Sequence, residues 1–338
     1  MRVVLMGTGP FAVPAFDAIR TKGHQIECVF VRPLPNVKSR KGPPPEPVRE
    51  WAESHQLNVA SPDSINAEET ISILKQIESD LLVVCDYGQI LSDAALATAA
   101  LGGINLHGSL LPRYRGAAPV QRCLLAGDEF AGISVIHMTP KLDGGPILAS
   151  AKTPITESET AGELEVRLSH LGVEPTLDAM KVLENWDRVS GLGSAQDPNA
   201  VTKAPRLSKK EALIDWQQSS KKIHCFIRGM QPWPIAYCFF PLPNGKPPLR
   251  VAIKEARVMD SNPEDQSIPS QLSEIQPADE SLTQSSAEPG TLLHRSRMLI
   301  RTGDGVIELL SVQPAGKREM SAEEFLRGYQ PEIGTRLG

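Results

Sequence analysis

The chain has 338 residues, 41% of them hydrophobic and 22% charged, with a net charge of -5, which is enough apolar material to build a core in each of two domains. No apolar run approaches the roughly 18 residues of a membrane span, which excludes an integral membrane protein, and the opening MRVVLM runs at once into GTG, too short for the apolar stretch of a signal peptide and without a cleavage site, so a cytoplasmic location is expected. Five cysteines without a C-x-x-C spacing indicate neither a disulfide framework nor a thiolate zinc site.

The first half alternates short β-rich runs with helical patterns, as βαβ units do. Strands are predicted at 2–6, 26–31, 81–85, 103–107, 132–138 and 147–153, and helices at 13–21, 67–77, 120–125 and, longest, 161–184. Helices covering both faces of a parallel α/β sheet are expected. Residues 32–49 hold six prolines and five basic side chains, a stiff basic loop expected to form neither helix nor central strand. Residues 187–205, rich in Gly, Ser, Asn and Pro, read as an interdomain linker. Beyond it a helix is expected at 219–230 and strands at 235–240, 249–258, 298–302 and 306–312, with turns at Asn244-Gly245 and Gly303-Asp304-Gly305, a pattern that suits a small barrel. Residues 260–289 are acidic, polar and poor in large apolar groups, the composition of a disordered insertion.

Charge is unevenly spread along these segments. Residues 203–257 carry a local +8, residues 259–288 carry -7 and residues 1–202 carry -7. A basic segment behind an acidic body fits a polyanion partner for one domain, and a solvated charged surface gives the same balance.

Gly7-Thr8-Gly9 follows the first strand and precedes a helix, but position 12 is Ala and the second strand runs into Arg32-Pro33 instead of an acidic ribose ligand. It reads as a tight turn with close helix–sheet packing. More informative is the stretch from 104 to 119, INLHGSLLPRYRGAAP. Asn105 and His107 share a face at the carboxyl end of a strand, where open α/β sheets place their ligands, although such a pair can equally cap the sheet. Asp143 precedes Gly144-Gly145, a turn expected to be flexible enough to aim its carboxylate back over the sheet. A neutral donor, a proton carrier and a base near one edge suit transfer of an acyl-like group to an amine, because the tetrahedral centre needs oxyanion donors and the amine must lose a proton. No Ser or Cys is paired with a base in this cluster, so direct transfer is expected without a covalent enzyme intermediate. One His and one Asp do not make a metal site, and no metal is expected. His137, Trp216 and Trp233 are expected to be packing residues.

The stretch NLHGSLLPRYRGAAPVQR (105–122) resembles the signature of the formyltransferases that use 10-formyltetrahydrofolate, and its R-x-R-G-A-A-P-x-Q-R ending is similar to the branch that formylates methionyl-tRNA. The resemblance extends to GTGPFAVP, VVCDYGQIL (83–91), LSKKEALIDW (207–216), IRGMQPWP (227–234) and TGDGVIELLSVQPAGKREMSAEEFL (302–326). It implies an α/β fold with a Rossmann-like parallel-sheet formyltransferase domain at 1–186, the linker at 187–205, and an OB-like β-barrel at 206–338 that contains the insertion 260–289. It implies Asn105, His107 and Asp143 as the catalytic set, and Ser109, Leu110, Leu111 and Pro112 with Tyr87 and Gly88 as the folate pocket. It also implies a tRNA-contacting loop with Lys38, Arg40 and Lys41, and a barrel gripping tRNA through residues such as Lys209 and Lys210. The co-substrate would be 10-formyltetrahydrofolate, the acceptor initiator methionyl-tRNA, and the protein a monomer without metal or membrane partner.

The chain departs from that pattern at three places. Gly9-Pro10 replace a Pro-acidic pair, Asp143 is followed by Gly144-Gly145-Pro146 in place of T-G-D, and Ser39 stands where the loop's tip arginine is expected, flanked by Lys38, Arg40 and Lys41. Two other functions stay open on sequence alone. One is a folate enzyme that formylates another acceptor or hydrolyses the donor; the other is an RNA-binding protein on a decayed scaffold.

Overall fold

Seven apolar runs of the N-terminal half hydrogen-bond into one sheet, which forms the centre of the unit Met1–Cys123, Glu129–Glu157 and Gly162–Arg206. The structure, a computed structural model, describes residues 1–33, 45–243, 245–259 and 287–338. The strands are β1 (Arg2–Gly7), β2 (Gln25–Phe30), β3 (Val59–Ala60), β4 (Leu81–Cys85), β5 (Gly103–His107), β7 (Phe130–His137) and β8 (Ile147–Pro154), in the order β3-β2-β1-β4-β5-β7-β8. A separate parallel pair joins β6 (Arg115–Gly116) to β9 (Lys203–Ala204).

The five strands from β3 to β5 are parallel, whereas β7 runs antiparallel to β5 and β8 antiparallel to β7. The expected parallel sheet therefore ends in an antiparallel pair. Six consecutive residues of β7 are buried, and such a run reads the same in either direction. Chain order places β2 and β3 on one side of β1 and β4 on the other. This is a topological switch point, and the loops that leave the carboxyl ends of β1 and β4 flank a crevice there.

Helices α1 (Val13–Thr21), α3 (Glu68–Ile77) and α5 (Pro119–Ala126) lie where periodicity placed them, and a one-turn helix α4 (Asp93–Leu96) adds to them. Helix α2 (Pro47–Ser54) starts inside the segment expected to lack helix, because a proline at the first helical position gives up an N–H that has no partner there anyway. The single helix expected at 161–184 is two, α6 (Ala161–Leu171) and α7 (Val173–Glu184). Pro175, buried near the start of α7, cannot donate to the carbonyl four residues back and its ring crowds that carbonyl, which ends α6. Residues 187–205 are not detached from the first unit: Ser194 bridges to Ile147 and β9 pairs with β6.

The second unit comprises Leu124–Asp128, Ser158–Ala161 and Leu207–Gly338. Its sheet runs β10 (Tyr237–Phe240), β11 (Leu249–Met259), β13 (Val306–Pro314), β12 (Met298–Arg301), with β14 (Met320–Ser321) on β13. Backbone bonds close the ring: Phe239 and Gly338 exchange N–H and C=O, Leu337 donates to Gly290, and Gly290 donates to Arg301. Helix α8 (Ser220–Gly229) packs on β11, and α9 (Ala322–Tyr329) follows β14. The sequence reading passed over α9, although Ser321-Ala322-Glu323-Glu324 carries its capping box. Trp216 is packed inside at 5% exposure, while Trp233 is 48% exposed, more than a packing residue should be. Asn244 of the expected turn, and residues 260–286 of the acidic insertion, lie outside the described residues.

Candidate active site

Strand alternation puts Asn105 and His107 on one face at the end of β5, with His107 only 6% exposed. The His107 Nε2 atom lies 2.9 Å from the Tyr114 carbonyl, which can only accept, so Nε2 carries the hydrogen. That bond turns Nδ1 toward Asp143, whose Oδ1 is 3.9 Å away. Asp143 Oδ1 also accepts from Asn105 Nδ2 at 3.3 Å, and its Oδ2 accepts from the Gly116 N–H at 2.8 Å. The three residues that the sequence selected thus stand around one carboxylate.

The carboxylate of Asp143 points back over the sheet, and the turn that aims it passes so close to the His137 carbonyl that only glycine fits at 145. Gly144 and Gly145 do not take a positive φ; Asp143 itself sits at φ +48°, a left-handed conformation that Asp tolerates better than most residues. Gly116 has φ +128°, and a Cβ there would come within 2.6 Å of the Ala204 carbonyl. Only glycine lets β6 run this close to β9 while its N–H points at the carboxylate.

Around these residues opens a cavity of about 350 Å³, large enough for a fused bicyclic ring. Its wall is formed by the loop after β1 (Phe11), the loop after β4 (Asp86 to Leu91), the end of β5, Gly116 and the start of α5, and the segment from Met138 to Asp143. Tyr87 and Gly88 are on this wall, and Ser109, Leu110, Leu111 and Pro112 follow Gly108 in the adjoining turn. The Ser134 hydroxyl donates to the Ser109 carbonyl and accepts from the Leu111 N–H, and the Ser109 hydroxyl donates to the Arg113 carbonyl. These four residues brace the turn between Gly108 and Gly116, both of which do face the cavity.

Two acids on the same wall were missed from sequence. Burial holds Asp86 above the ordinary carboxylate range, although Arg206, Arg32 and the Gly9 N–H pull it back. Its side chain is accessible within the cavity yet surrounded by protein beyond it, which reconciles solvent contact with desolvation. Burial, and then the nearby charge of Asp86, raise Glu165, whose Oε2 accepts from Gln121 Nε2 at 3.4 Å. A Cβ at Gly9 would fall 2.1 Å from Asp86 Oδ2, so the glycine turn after β1 has closed on the protein's own carboxylate where a phosphate would need to sit. A tight turn, as read from sequence, is what the structure contains there.

Lys38, Arg40 and Lys41 lie outside the described residues. Lys209 and Lys210 are exposed on a single turn, Lys209–Ala212, of the second unit. The half-buried His137 donates from Nε2 to the Leu101 carbonyl at 2.9 Å. Among the described residues no cluster of His, Cys, Asp and Glu is arranged to hold a metal ion, and no helix is long and apolar enough to cross a membrane.

Residues 1–180 match the family model of formyl transferase, and residues 206–330 match the formyl transferase C-terminal domain. The chain belongs to the formyl transferase family and is a formyl-transferring enzyme. Among named relatives, a methionyl-tRNA formyltransferase of Rhodopirellula baltica is 54% identical over 344 residues, covering 100% of this chain and 96% of that protein. A methionyl-tRNA formyltransferase of Methylobacterium nodulans is 38% identical, covering 100% of this chain and 99% of that protein. The fold is also that of WlaRD, a sugar 3N-formyl transferase, at a TM-score of 0.61 and 16% identity over 94% of this chain and 99% of the other. HypX from Aquifex aeolicus, solved with tetrahydrofolic acid, aligns at a TM-score of 0.57 and 13% identity over 98% of this chain, which spans 48% of HypX.

Proposed function

We propose that the chain transfers the formyl group of 10-formyltetrahydrofolate to the α-amino group of initiator methionyl-tRNA, as a monomer in the cytoplasm. The observation that carries this reading is the Asn105–Asp143–His107 constellation on the switch-point cavity of a chain aligned from end to end with methionyl-tRNA formyltransferases. The cavity would enclose the bicyclic end of the folate, held by the backbone between Tyr87 and Leu91 and between Met138 and Asp143, with Ser109 to Pro112 keeping the adjoining turn rigid.

The acceptor amine must be neutral to attack, and an adjacent ester lowers its pKa below the roughly 7.7–8.0 of a chain-terminal amine, so a large share is neutral near pH 7. Attack on the formyl carbon moves charge to its oxygen. Asn105 has a second amide hydrogen to offer that oxyanion, and protonated His107 donates from Nδ1, because Nε2 is committed to Tyr114. The amine proton passes to the departing folate nitrogen as the C–N bond to the folate breaks. The basic stretch 203–257, with Lys209 and Lys210, would hold the acceptor arm through phosphate contacts, together with Lys38, Arg40 and Lys41.

The test is a formylation assay with purified protein, 10-formyltetrahydrofolate, and initiator and elongator methionyl-tRNA in parallel. Formylation of the initiator species with the elongator nearly untouched is expected. Folate turnover without formylated tRNA would move the site to another acceptor.

A further inference from the structure

Gln196 lies in the stretch 187–205 whose composition reads as a linker, yet its side chain is fully engaged beside Asp143. Nε2 donates to the Asp143 carbonyl at 2.8 Å and to the Gly145 carbonyl at 2.7 Å, while Oε1 accepts from Arg115 Nε at 3.1 Å and Nη2 at 2.7 Å. Carbonyls only accept and a guanidinium only donates, so the partners themselves dictate which end of the carboxamide is which.

The two sides of this clamp are the two halves of the site. One is the turn 143–145, which carries the Asp143 carboxylate. The other is Tyr114–Arg115–Gly116, whose flanking backbone groups receive the His107 Nε2 hydrogen and donate to Asp143 Oδ2. Asp143 stands at φ +48°, a conformation disfavoured for residues with a Cβ, which persists only where its surroundings over-determine it. Gln196 bonds the carbonyls of Asp143 itself and of the residue two further on, and so grips the strained turn on both sides. The segment carrying Gln196 is in turn pinned to the same loop, since Thr202 Oγ1 accepts from the Tyr114 N–H at 2.8 Å and β9 pairs with β6.

We infer that Gln196 is a positioning residue, which locks the Asp143 turn to the Tyr114–Gly116 loop and thereby sets the carboxylate against Asn105 and His107. Its kinetic consequence rests on the formyl-transfer reading; its geometric consequence does not. An apolar side chain of similar length loses all four bonds and leaves the turn free to relax away from the imidazole. A displacement of about 1 Å in a reacting constellation costs on the order of 100-fold in rate.

The experiment compares the full-length protein with Gln196→Met and Gln196→Glu, the second retaining an acceptor for Arg115 but offering no hydrogen to the two carbonyls. Turnover and KM for each substrate are measured, together with the Gly116 amide resonance and its hydrogen exchange in ¹⁵N-glycine-labelled protein. Both variants are expected to lose turnover by about 100-fold while KM moves by less than about threefold. The Gly116 amide proton should shift upfield and exchange faster, because its bond to Asp143 Oδ2 is lost. Turnover within about threefold of wild type with an unchanged Gly116 signal overturns the inference, as does a loss confined to KM. If one variant does not fold, the other carries the comparison. If wild-type protein proves unable to formylate methionyl-tRNA, the functional reading fails, and the Gly116 resonance still decides whether Gln196 holds Asp143.

Discussion

The two units each bury carboxylates and treat them in opposite ways. In the first unit Asp86 and Glu165 share the wall of a cavity, and burial holds both above the ordinary carboxylate range, with the charge of Asp86 adding to it at Glu165. In the second, Glu308 on β13 is only 6% exposed, but Arg297 meets it with two parallel bonds of 2.7 Å and Arg257 adds a third at 2.5 Å. Burial pushes Glu308 up, and the hydrogen bonds and charges of Arg297 and Arg257 outweigh it, so its carboxyl lies below the usual range. A fully paired acid contributes stability, whereas acids left under-compensated around an open space keep their chemistry available to a ligand. The difference sets the cavity of the first unit, with its under-compensated acids, apart from the paired acid of the second.

That separation breaks if the site residues prove to be structural. Replacing Asn105, His107 or Asp143 with Ala is expected to lower turnover by about 10²–10⁴-fold while thermal unfolding and tRNA binding change little. Near-normal turnover in His107→Ala, measured by formylation at saturating substrates, would remove the histidine from the mechanism. The converse holds in the second unit. Glu308→Gln should leave turnover per folded molecule unaltered and destabilise the protein by about 2 kcal/mol, because two guanidinium groups lose a charged acceptor, one of them in partial contact with solvent. Since the Glu308 carboxyl is held low, the stability it contributes is present above the ordinary carboxylate pKa and lost as pH falls. Urea unfolding from pH 7 to pH 4 should therefore show the deficit of the variant shrinking with acid, and a deficit constant across that range would show that the ion pairs are not its origin.

How much of this was legible in the sequence depended on the range over which each feature is determined. Strand alternation is local, so Asn105 and His107 could be placed on one face from their spacing alone. The longer β-rich runs of both units were likewise found within a few residues of their ends, whereas the two-residue strands β3, β6, β9 and β14 were not. Direction was not legible for β7, because a strand buried along its whole length carries no mark of parallel or antiparallel pairing. The aim of Asp143 was legible from the glycines beside it, but its support was not: Gln196 bonds the turn from 53 residues away, in a segment whose composition suggested only a linker. Asp86 and Glu165 come from different strands and helices, and nothing in either local sequence shows that they face one cavity.

A smaller effect tests whether the charge of the second unit works on a partner or only on the fold. Lys209, Lys210, Lys221 and Lys222 are exposed, and the first two stand on a single turn. Neutralising all four should leave thermal stability within about 0.5 kcal/mol. The slope of log K against log salt for tRNA should become shallower by about 3 in the quadruple variant, since each phosphate contact contributes a little under one. An unchanged slope would mean that the +8 of this segment is a solvated surface.

The smallest effect sharpens the contrast most, because it concerns the sign of a pH dependence. Glu165 is raised by burial first and by Asp86 second, so in the folded protein it gives up its proton later than in the unfolded chain. Stability from this group is then complete below the unfolded pKa and declines as pH rises through the higher, folded one. Glu165→Gln keeps a polar group for Gln121 while removing the charge that Asp86 repels. Relative to wild type, the variant should gain stability between pH 4 and pH 7, by an amount of about 1 kcal/mol or less, which is the reverse of the trend expected for Glu308→Gln over the same range. Parallel urea titrations of the two variants read both signs in one buffer series. If Glu165→Gln instead loses stability toward neutral pH, a cation compensates this acid more strongly than Arg206 and Arg32 compensate Asp86, and the cavity wall belongs with the paired acids of the barrel.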